Sequence, residues 1–267
     1  MSQRSINRSV FVSVTFTLLF VSSVATAADT FVIVSDVDDT VKITGVRHAA
    51  RALISALHSE LVFAGMPELY AQMLGPGSDG ERLRFISGSS RLLDHKITEA
   101  LSDSKFPAYS LSLRSIWQSL SSVRRYKTER LSALYATSQA KFILIGDDTE
   151  ADPEVYADFV VAKPGQVRAI YIRRVTGRQL PKGSIPFVTA YEIAVNERQE
   201  GRLSEDQVVA VGNAVLASLD RTLLPAFQVC PGKFNSAVEH QDSLQEQIQQ
   251  RLSKLCTDRA INHTSSP

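Results

Sequence analysis

The sequence predicts an α/β fold, a doubly wound parallel sheet with a small helical insert after the first strand and a helical C-terminal extension. Short β-branched apolar runs alternate with helical segments between residues 30 and 172, which is typical of parallel sheets covered by helices. The first run ends abruptly in acids, as a buried parallel strand would. From about Thr176 onward the pattern becomes helical and increasingly polar. We therefore expect a Rossmann-like sheet followed by helices.

The strands are predicted from continuous apolar runs of four to eight residues. In chain order they are 30–35, 83–87, 109–113, 141–145 and 167–172, the last of the sheet. Residues 45–75 have helical periodicity in two pieces, and Gly65-Met66-Pro67 restarts the second.

Further helices are predicted from capping residues and apolar spacing. Ser89 or Ser90 can cap the helix after the second strand, and Lys127 opens the next. Asp152 is a candidate N-cap because Pro153 follows it in the first turn. Two helical stripes are predicted in the extension: Val208, Val211, Val215 and Leu219, then Leu244, Ile248, Leu252 and Leu255.

The first 27 residues have the pattern of a signal peptide. Arg4 and Arg8 precede an apolar run, and the small residues of Ala25-Thr26-Ala27 follow it. An uncleaved anchor is the alternative, although the run is shorter than the about 20 residues of a membrane span. We expect an exported protein, periplasmic or secreted, with a catalytic domain at 28–178 and a helical extension at 179–267.

The balance of charged residues and the cysteines indicate which partners and compartment to expect. Two of the 29 basic side chains lie in the predicted signal peptide, which leaves 27 against 28 acidic ones. Nucleic-acid binding is not expected, because it usually demands a basic face. Both cysteines, Cys230 and Cys256, lie in the last fifth of the chain. They can pair in an oxidising compartment, and two free thiols are the alternative.

Polar residues follow the predicted strands where each strand ends, which is where ligands bind in open α/β sheets. These residues are Asp36, Asp38, Asp39 and Thr40 after the first strand, Ser87, Gly88 and Ser89 after the second, and Asp147, Asp148 and Asp152 after the fourth. Converging carboxylates repel one another, and oxygen ligands without His or Cys favour Mg²⁺ as the cation that relieves this.

The same residue types suit phosphoryl chemistry. Lys127 and a hydroxyl beside the cation would bind an anionic phosphate. An Asp carboxylate can attack phosphorus and hold it as an acyl phosphate. A second carboxylate two residues on can protonate the leaving oxygen and later activate water.

Four ordered motifs resemble those of the haloacid dehalogenase superfamily of phosphatases. They are Asp36-Val37-Asp38-Asp39-Thr40, Ser87, Lys127, and Gly146-Asp147 with Asp152. The resemblance implies Asp36 as nucleophile and Asp38 as general acid/base. It implies phosphate binding by Ser87, Gly88 and Lys127. It also implies a Mg²⁺ site made of Asp36, the Asp38 backbone carbonyl and Asp147, completed by Asp148 or Asp152.

A narrower resemblance covers roughly residues 31–175. The stretches 35–42, 65–70, 87–89, 141–147, 152–156 and 170–173 are similar to the catalytic domains of the yeast actin-patch phosphatidate phosphatase family. This implies hydrolysis of phosphatidate, or a related phospholipid monoester, to diacylglycerol and phosphate. It also implies a membrane surface as a partner.

Other functions fit parts of this pattern. An EF-hand from Asp36 would need Gly and Glu where the sequence has Val41 and Arg47. In a receiver domain the lysine follows the last strand-end acid, whereas Lys127 precedes Asp147. A phosphatase of small soluble phosphates would share every catalytic residue, whereas a silent phospholipid-binding module would not need Asp36 and Asp38. Two interpretations of the arginines at 168, 173, 174 and 178 stay open, a solvated face or an anionic-lipid contact.

Overall fold

Six parallel strands form one sheet in the computed structural model, which describes residues 31–45, 61–138, 140–231 and 243–264. The strands are β1 Phe31–Ser35, β2 Leu83–Ser90, β3 Ser110–Arg114, β4 Lys141–Asp147, β5 Val167–Arg173 and β6 Ser184–Phe187. Their order is β3-β2-β1-β4-β5-β6, and every neighbouring pair is parallel. The predicted α/β fold, with its doubly wound Rossmann-like sheet, is confirmed.

The sixth strand was missed. We predicted 167–172 as the last strand, but β6 pairs with β5 and forms the edge of the sheet. Its sequence, Ser-Ile-Pro-Phe, contains Pro186, which argues against a central strand but is tolerated at a sheet edge. Although β6 lies beyond residue 178, the division into 28–178 and 179–267 stays a prediction.

Eight α-helices are described. They are α1 Met66–Leu74, α2 Asp94–Asp103, α3 Val123–Thr137, α4 Asp152–Ala162, α5 Ala190–Gln199, α6 Glu205–Leu216, α7 Asp220–Leu223 and α8 Ser243–Thr264. The second piece of the predicted insert is α1, and the two predicted C-terminal stripes are α6 and α8. The predicted signal peptide and the first piece of the predicted insert lie outside the described residues.

Three predicted helix starts need correction. α3 begins at Val123, where the Ser122 hydroxyl accepts the Arg125 N–H, so Lys127 lies one turn inside the helix. The N-cap of α4 is Ala151, and Asp152 is the first helical residue. Ser90 caps a short 3₁₀ turn, Arg91–Leu93, ahead of α2.

Helices cover both faces of the sheet, and each face has its own core. Because side chains alternate along a strand, Ile33 of β1 packs on one face and Val34 on the other. Helices α1, α5, α6 and α8 share the first core, and α3 and α4 share the second. The C-terminal helices thus pack onto the sheet beside the helix that precedes β2.

A disulfide anchors the last helix. Cys256 of α8 is bonded to Cys230, with their Cα atoms 5.8 Å apart. The sequence left pairing open because it cannot show this distance. Among the helices described, none has the length and apolarity that a bilayer crossing requires.

Candidate active site

The polar residues gather at the carboxyl ends of β1, β2 and β4. The chain order reverses between β1 and β4, and a doubly wound sheet binds its ligands at such a point. Asp36 directly follows β1, and its backbone N–H donates to the Ile145 carbonyl of β4 at 2.9 Å. This bond fixes the Asp36 backbone against the strand that ends in Asp147.

Three carboxylates form a buried cluster at this point. One oxygen each of Asp36, Asp147 and Asp152 lies within 4.8 Å of the others. All three residues are buried, with at most 3% of their surface exposed. Burial raises the pKa of Asp152 to about 6. Lys127 opposes this shift, and Asp147 adds to it. The carboxylates are thus held together against their own repulsion.

Lys127 reaches the cluster from the first turns of α3. Its Nζ lies 2.7 Å from Asp36 Oδ1 and 2.6 Å from Asp152 Oδ1. Burial alone lowers the pKa of Lys127, but Asp152 and Asp36 outweigh it, so the ammonium stays charged. Burial also raises the pKa of Asp36 well above its ordinary value; Lys127 opposes this, and Asp152 and Asp147 add to it.

The cluster fits a divalent cation. Its donors are carboxylate oxygens, the ligands that hard cations prefer. Lys127 is in contact with two of these three acids, Asp36 and Asp152. Three carboxylates beside one ammonium leave an excess of negative charge, which a divalent cation would offset. These residues can therefore hold a metal ion.

A glycine makes room for Asp152. A Cβ on Gly146 would lie 2.6 Å from Asp152 Cβ and 2.7 Å from its Oδ2, closer than atoms can pack. Asp152 Oδ2 also accepts the Asp147 N–H at 3.4 Å. Glycine in β4 therefore lets α4 begin close to the strand and places Asp152 in the cluster.

Asp38 faces the serines of β2. Its Oδ2 accepts the Ser87 hydroxyl at 2.8 Å and the Ser89 hydroxyl at 2.7 Å. Ser87 and Ser89 point the same way because they are two residues apart on a strand. Ser89 was predicted both as a polar residue at the end of the second strand and as a possible helix cap, and the structure places its hydroxyl on Asp38. The two bonds orient a half-buried carboxylate beside the buried cluster.

Gly88 lies between these serines in a narrow space. A Cβ there would lie 2.9 Å from Val123 Cγ1 and 3.2 Å from Glu150 Oε2. Glu150, which the sequence analysis missed, is 4.0 Å from Lys127 Nζ. The predicted phosphate-binding residues Ser87, Gly88 and Lys127 thus surround one small volume; their role stays a prediction.

Thr40 and Asp39 shape the loop after β1. The Thr40 hydroxyl lies 3.0 Å from Asp147 Oδ2 and 3.3 Å from Asp36 Oδ2, so it bridges two cluster members. Asp39 has a left-handed backbone, φ 55°, and its Oδ1 accepts the N–H groups of Thr44 and Gly45. Asp39 therefore stabilises the loop rather than facing the cluster.

The structure separates Asp148 from the cluster. Its Oδ1 accepts the N–H groups of Val175 and Thr176 at 2.8 and 2.7 Å, and its Oδ2 accepts that of Gly177 at 2.9 Å. Asp148 thus organises the loop after β5. Of the two acids left open by the resemblance, the structure brings Asp152 to Asp36 and Asp147.

Arg173 was missed as a site residue. It is 1% exposed, its Nε donates to the Thr40 carbonyl at 2.9 Å, and its Nη1 donates to the Val188 carbonyl at 2.6 Å. The guanidinium stacks on Phe63 and Phe187, and burial lowers its pKa to about 9. The solvated-face interpretation is therefore wrong for Arg173, whose position at the end of β5 was the available signal.

Arg178 is also engaged within the fold. It pairs with Glu154 at 2.5 Å and donates to the carbonyls of Asp148 and Glu150. Its partners are the Glu154 carboxylate of α4 and two carbonyls of the loop between β4 and α4. Arg173 and Arg178 thus bind groups within the fold rather than a lipid surface.

Comparison with known proteins agrees with this geometry. The family model for the catalytic domain of phosphatidate phosphatase APP1 matches residues 31–174. An uncharacterized protein of Schizosaccharomyces pombe is 25% identical over 154 residues, which cover 54% of this chain. The match spans about a quarter of that relative, 25% of its length. No solved structure shows significant similarity. The matched residues contain every strand-end residue of the site, and the chain belongs to the phosphatidate phosphatase APP1 catalytic domain family.

Proposed function

We propose that this chain is a Mg²⁺-dependent phosphatase that hydrolyses phosphatidate, or a related phospholipid monoester, to diacylglycerol and phosphate. The observation that carries the proposal is the pairing of two differently placed carboxylates. Asp36 is buried in a cluster with a lysine, and Asp38 is half-buried and oriented by two serines. One is suited to attack phosphorus and the other to move protons.

Asp36, Asp147 and Asp152 would hold the metal ion. When bound, Mg²⁺ would neutralise the acids and the phosphate so that a carboxylate can approach an anionic substrate. Lys127 adds a second positive charge next to Asp36. Asp148 is left out of this site because backbone N–H groups occupy both its oxygens.

The reaction has two steps on this chain. An Asp36 carboxylate oxygen attacks phosphorus, the bond to the glycerol oxygen breaks, and Asp38 gives that oxygen its proton. Water then attacks the aspartyl phosphate and passes a proton to Asp38. The P–O bond to Asp36 breaks, phosphate leaves, and both acids return to their starting states.

The predicted phosphate-binding residues would hold the phosphate through donors placed around it. Ser87 has a hydroxyl beside Asp38, and Gly88 leaves space between Val123 and Glu150. We infer that phosphate oxygens replace the present acceptors of the Ser87 hydroxyl and the Lys127 ammonium, so that both groups donate to the transferring phosphate. This would hold phosphorus in line with Asp36.

The test measures phosphate release from phosphatidate in mixed micelles, from lysophosphatidate and from a soluble aryl phosphate, each with and without Mg²⁺. We expect Mg²⁺-dependent release, with the highest kcat/KM on phosphatidate and a rate that follows surface concentration. Better turnover of soluble phosphates, without a response to lipid dilution, would contradict the lipid assignment alone. No release from any substrate, with lipid binding intact, would indicate a silent binding module.

We further propose that the protein is exported. The apolar run and Ala25-Thr26-Ala27 support cleavage near Ala27. The Cys230–Cys256 disulfide adds support because such bonds persist in oxidising compartments. Mass spectrometry of the protein recovered from the producing cell tests this: a mature chain that keeps residues 1–27 would contradict it.

A further inference from the structure

Five large apolar side chains are exposed in the segments that follow β2 and β3. We name them the apolar rim: Leu92, Leu93, Ile116, Trp117 and Leu120. Leu92 is 80% exposed, Trp117 82% and Leu120 84%. Single exposed apolar residues are ordinary, but a group of this size near a site indicates a contact surface.

The rim lies at the same edge of the sheet as the candidate active site. Leu92 follows the carboxyl end of β2, Ile116 follows that of β3, and these neighbouring strands are paired as far as Ser90 and Arg114. Ser89, one residue before the end of β2, contacts Asp38. A surface on which the rim rests would therefore adjoin the catalytic carboxylates.

Hydrogen bonds hold the rim in place. Arg114 Nη1 donates to the Gly88 carbonyl at 3.3 Å, and Nη2 donates to the carbonyls of Gln118 and Ser121 at 3.1 and 2.5 Å. The Ser115 N–H donates to the Gln118 side chain at 3.0 Å. The turn that presents Trp117 and Leu120 is thus tied to the phosphate-binding segment of β2.

Basic residues accompany the rim. Apart from the buried Lys127, stretches 88–96 and 114–128 contain five lysines and arginines and one acid, Asp94. Arg91, Lys96 and Arg125 are exposed. Arg125 pairs with Glu129, but an exposed pair of this kind is weak and leaves the arginine able to meet another anion.

We propose that the apolar rim docks this chain on an anionic lipid bilayer, with Trp117 at headgroup depth and the leucines at the acyl boundary. Tryptophan favours that interface, and nearby arginines attract anionic lipids. Basic residues lie in the same two segments as the rim side chains, whereas the core of a protein interface is depleted in charge. The inference rests on the proposed function for its orientation, since docking would bring a lipid phosphate toward Asp36.

The test uses the single tryptophan of the chain, Trp117, as a reporter. The Asp36→Asn variant is mixed with phosphatidylcholine vesicles, with or without phosphatidylserine, so that no hydrolysis is involved. We expect Trp117 emission to shift to shorter wavelength with the anionic vesicles and to be quenched by brominated acyl chains. Weaker effects are expected with phosphatidylcholine alone, because it lacks the net charge.

A matched pair of variants assigns the surface. Leu120→Ser should weaken vesicle binding about tenfold, since it removes one buried apolar side chain. Val161→Ser is the control: Val161 is 81% exposed, but it lies at the end of α4 that leads back to the opposite edge of the sheet. Its vesicle binding should equal that of the parent.

Other outcomes would overturn the proposal. An unchanged Trp117 spectrum with both vesicles, or equal binding by the Leu120→Ser and Val161→Ser variants, contradicts docking by the rim. A shift that needs no lipid and grows with protein concentration would indicate a second copy instead. Docking is independent of catalysis: Trp117 quenching without phosphatase activity would refute only the proposed function, and aryl phosphatase activity without quenching would refute only docking.

Discussion

Two regions of this molecule bury carboxylates, and they do so differently. Glu197, in α5, is fully buried, yet Arg202 donates to both its oxygens at 2.6 and 2.9 Å and the Tyr171 hydroxyl donates at 2.5 Å. At the carboxyl ends of β1 and β4, three buried carboxylates lie together, and Lys127 is in contact with two of them, Asp36 and Asp152. Burial alone therefore does not identify a ligand site; a shortage of positive charge does.

Asp147 and Asp148 show the same contrast between adjacent residues. Asp148 accepts three backbone N–H groups and stabilises a loop, whereas Asp147 joins the cluster with Asp36 and Asp152. Carboxylates that are fully paired within the fold should therefore contribute to stability, whereas the poorly balanced carboxylates of the cluster should contribute to chemistry.

The largest effect is expected from Asp36→Asn. Loss of the attacking carboxylate should lower kcat for phosphate release about a thousandfold or more. Stability should hold or rise, because a poorly balanced buried charge is removed. Steady-state kinetics and urea unfolding measure both. The control is Asp158→Asn, which removes an exposed partner of Arg124 and should leave kcat unchanged; activity of Asp36→Asn within about tenfold of the parent would rule out the nucleophile.

Glu197→Gln should instead lower stability and leave kcat unchanged. It leaves the Arg202 guanidinium half-buried without its carboxylate and should lower the free energy of unfolding by about 3 to 5 kcal/mol. The folded fraction should keep its kcat, since Glu197 binds Tyr171 and Arg202 rather than the acids of the cluster. Glu200→Gln is the matched control: Glu200 is largely exposed and 3.6 Å from Arg202, so its loss should cost under about 1 kcal/mol. Equal costs for the two variants would refute the comparison.

Removal of the disulfide tests the C-terminal region further. Cys230 and Cys256 are 26 residues apart, and loop closure predicts a loss of about 3 kcal/mol when both become serine. Urea unfolding of the double variant measures this. Non-reduced, alkylated protein should show neither cysteine modified; two alkylated cysteines would contradict the bond.

The smallest effect concerns metal binding in the absence of substrate. Mg²⁺ at about a hundred times its dissociation constant should stabilise the fold by about 2.7 kcal/mol. Asp147→Asn should lose this response, whereas Asp148→Asn should keep it on a less stable background. Thermal unfolding with Mg²⁺ and with EDTA measures the shift. A response lost in both variants, or in neither, would show that the cluster is not the metal site.

Local sequence signals were enough for most of the fold. Apolar runs predicted β1 to β5, and helical spacing predicted α6 and α8. The sixth strand was out of reach because four residues with a central proline become a strand only when β5 is beside them. The start of α3 was predicted at Lys127, whereas the Ser122 hydroxyl caps the helix and its first residue is Val123.

The sequence predicted most residues of the site but not which of them contact one another. Strand ends predicted Asp36, Asp38 and Asp147, because parallel strands finish at one edge. Sequence could not separate Asp148 from Asp152, since the choice depends on a loop 27 residues later and on the space beside Gly146. Arg173 was missed because composition favours solvent for an arginine, and its burial depends on Phe63 and Phe187.

Arg173 also has a consequence for how this chain can be shortened. The family match ends at residue 174, but the carbonyl that Arg173 binds belongs to Val188, and one of its stacking rings belongs to Phe187. A fragment that ends at residue 174 would leave the buried Arg173 guanidinium without these partners. The same guanidinium donates to the Thr40 carbonyl in the loop after β1. The smallest autonomous unit should therefore extend past Val188, so homology boundaries and folding boundaries differ here by at least one strand.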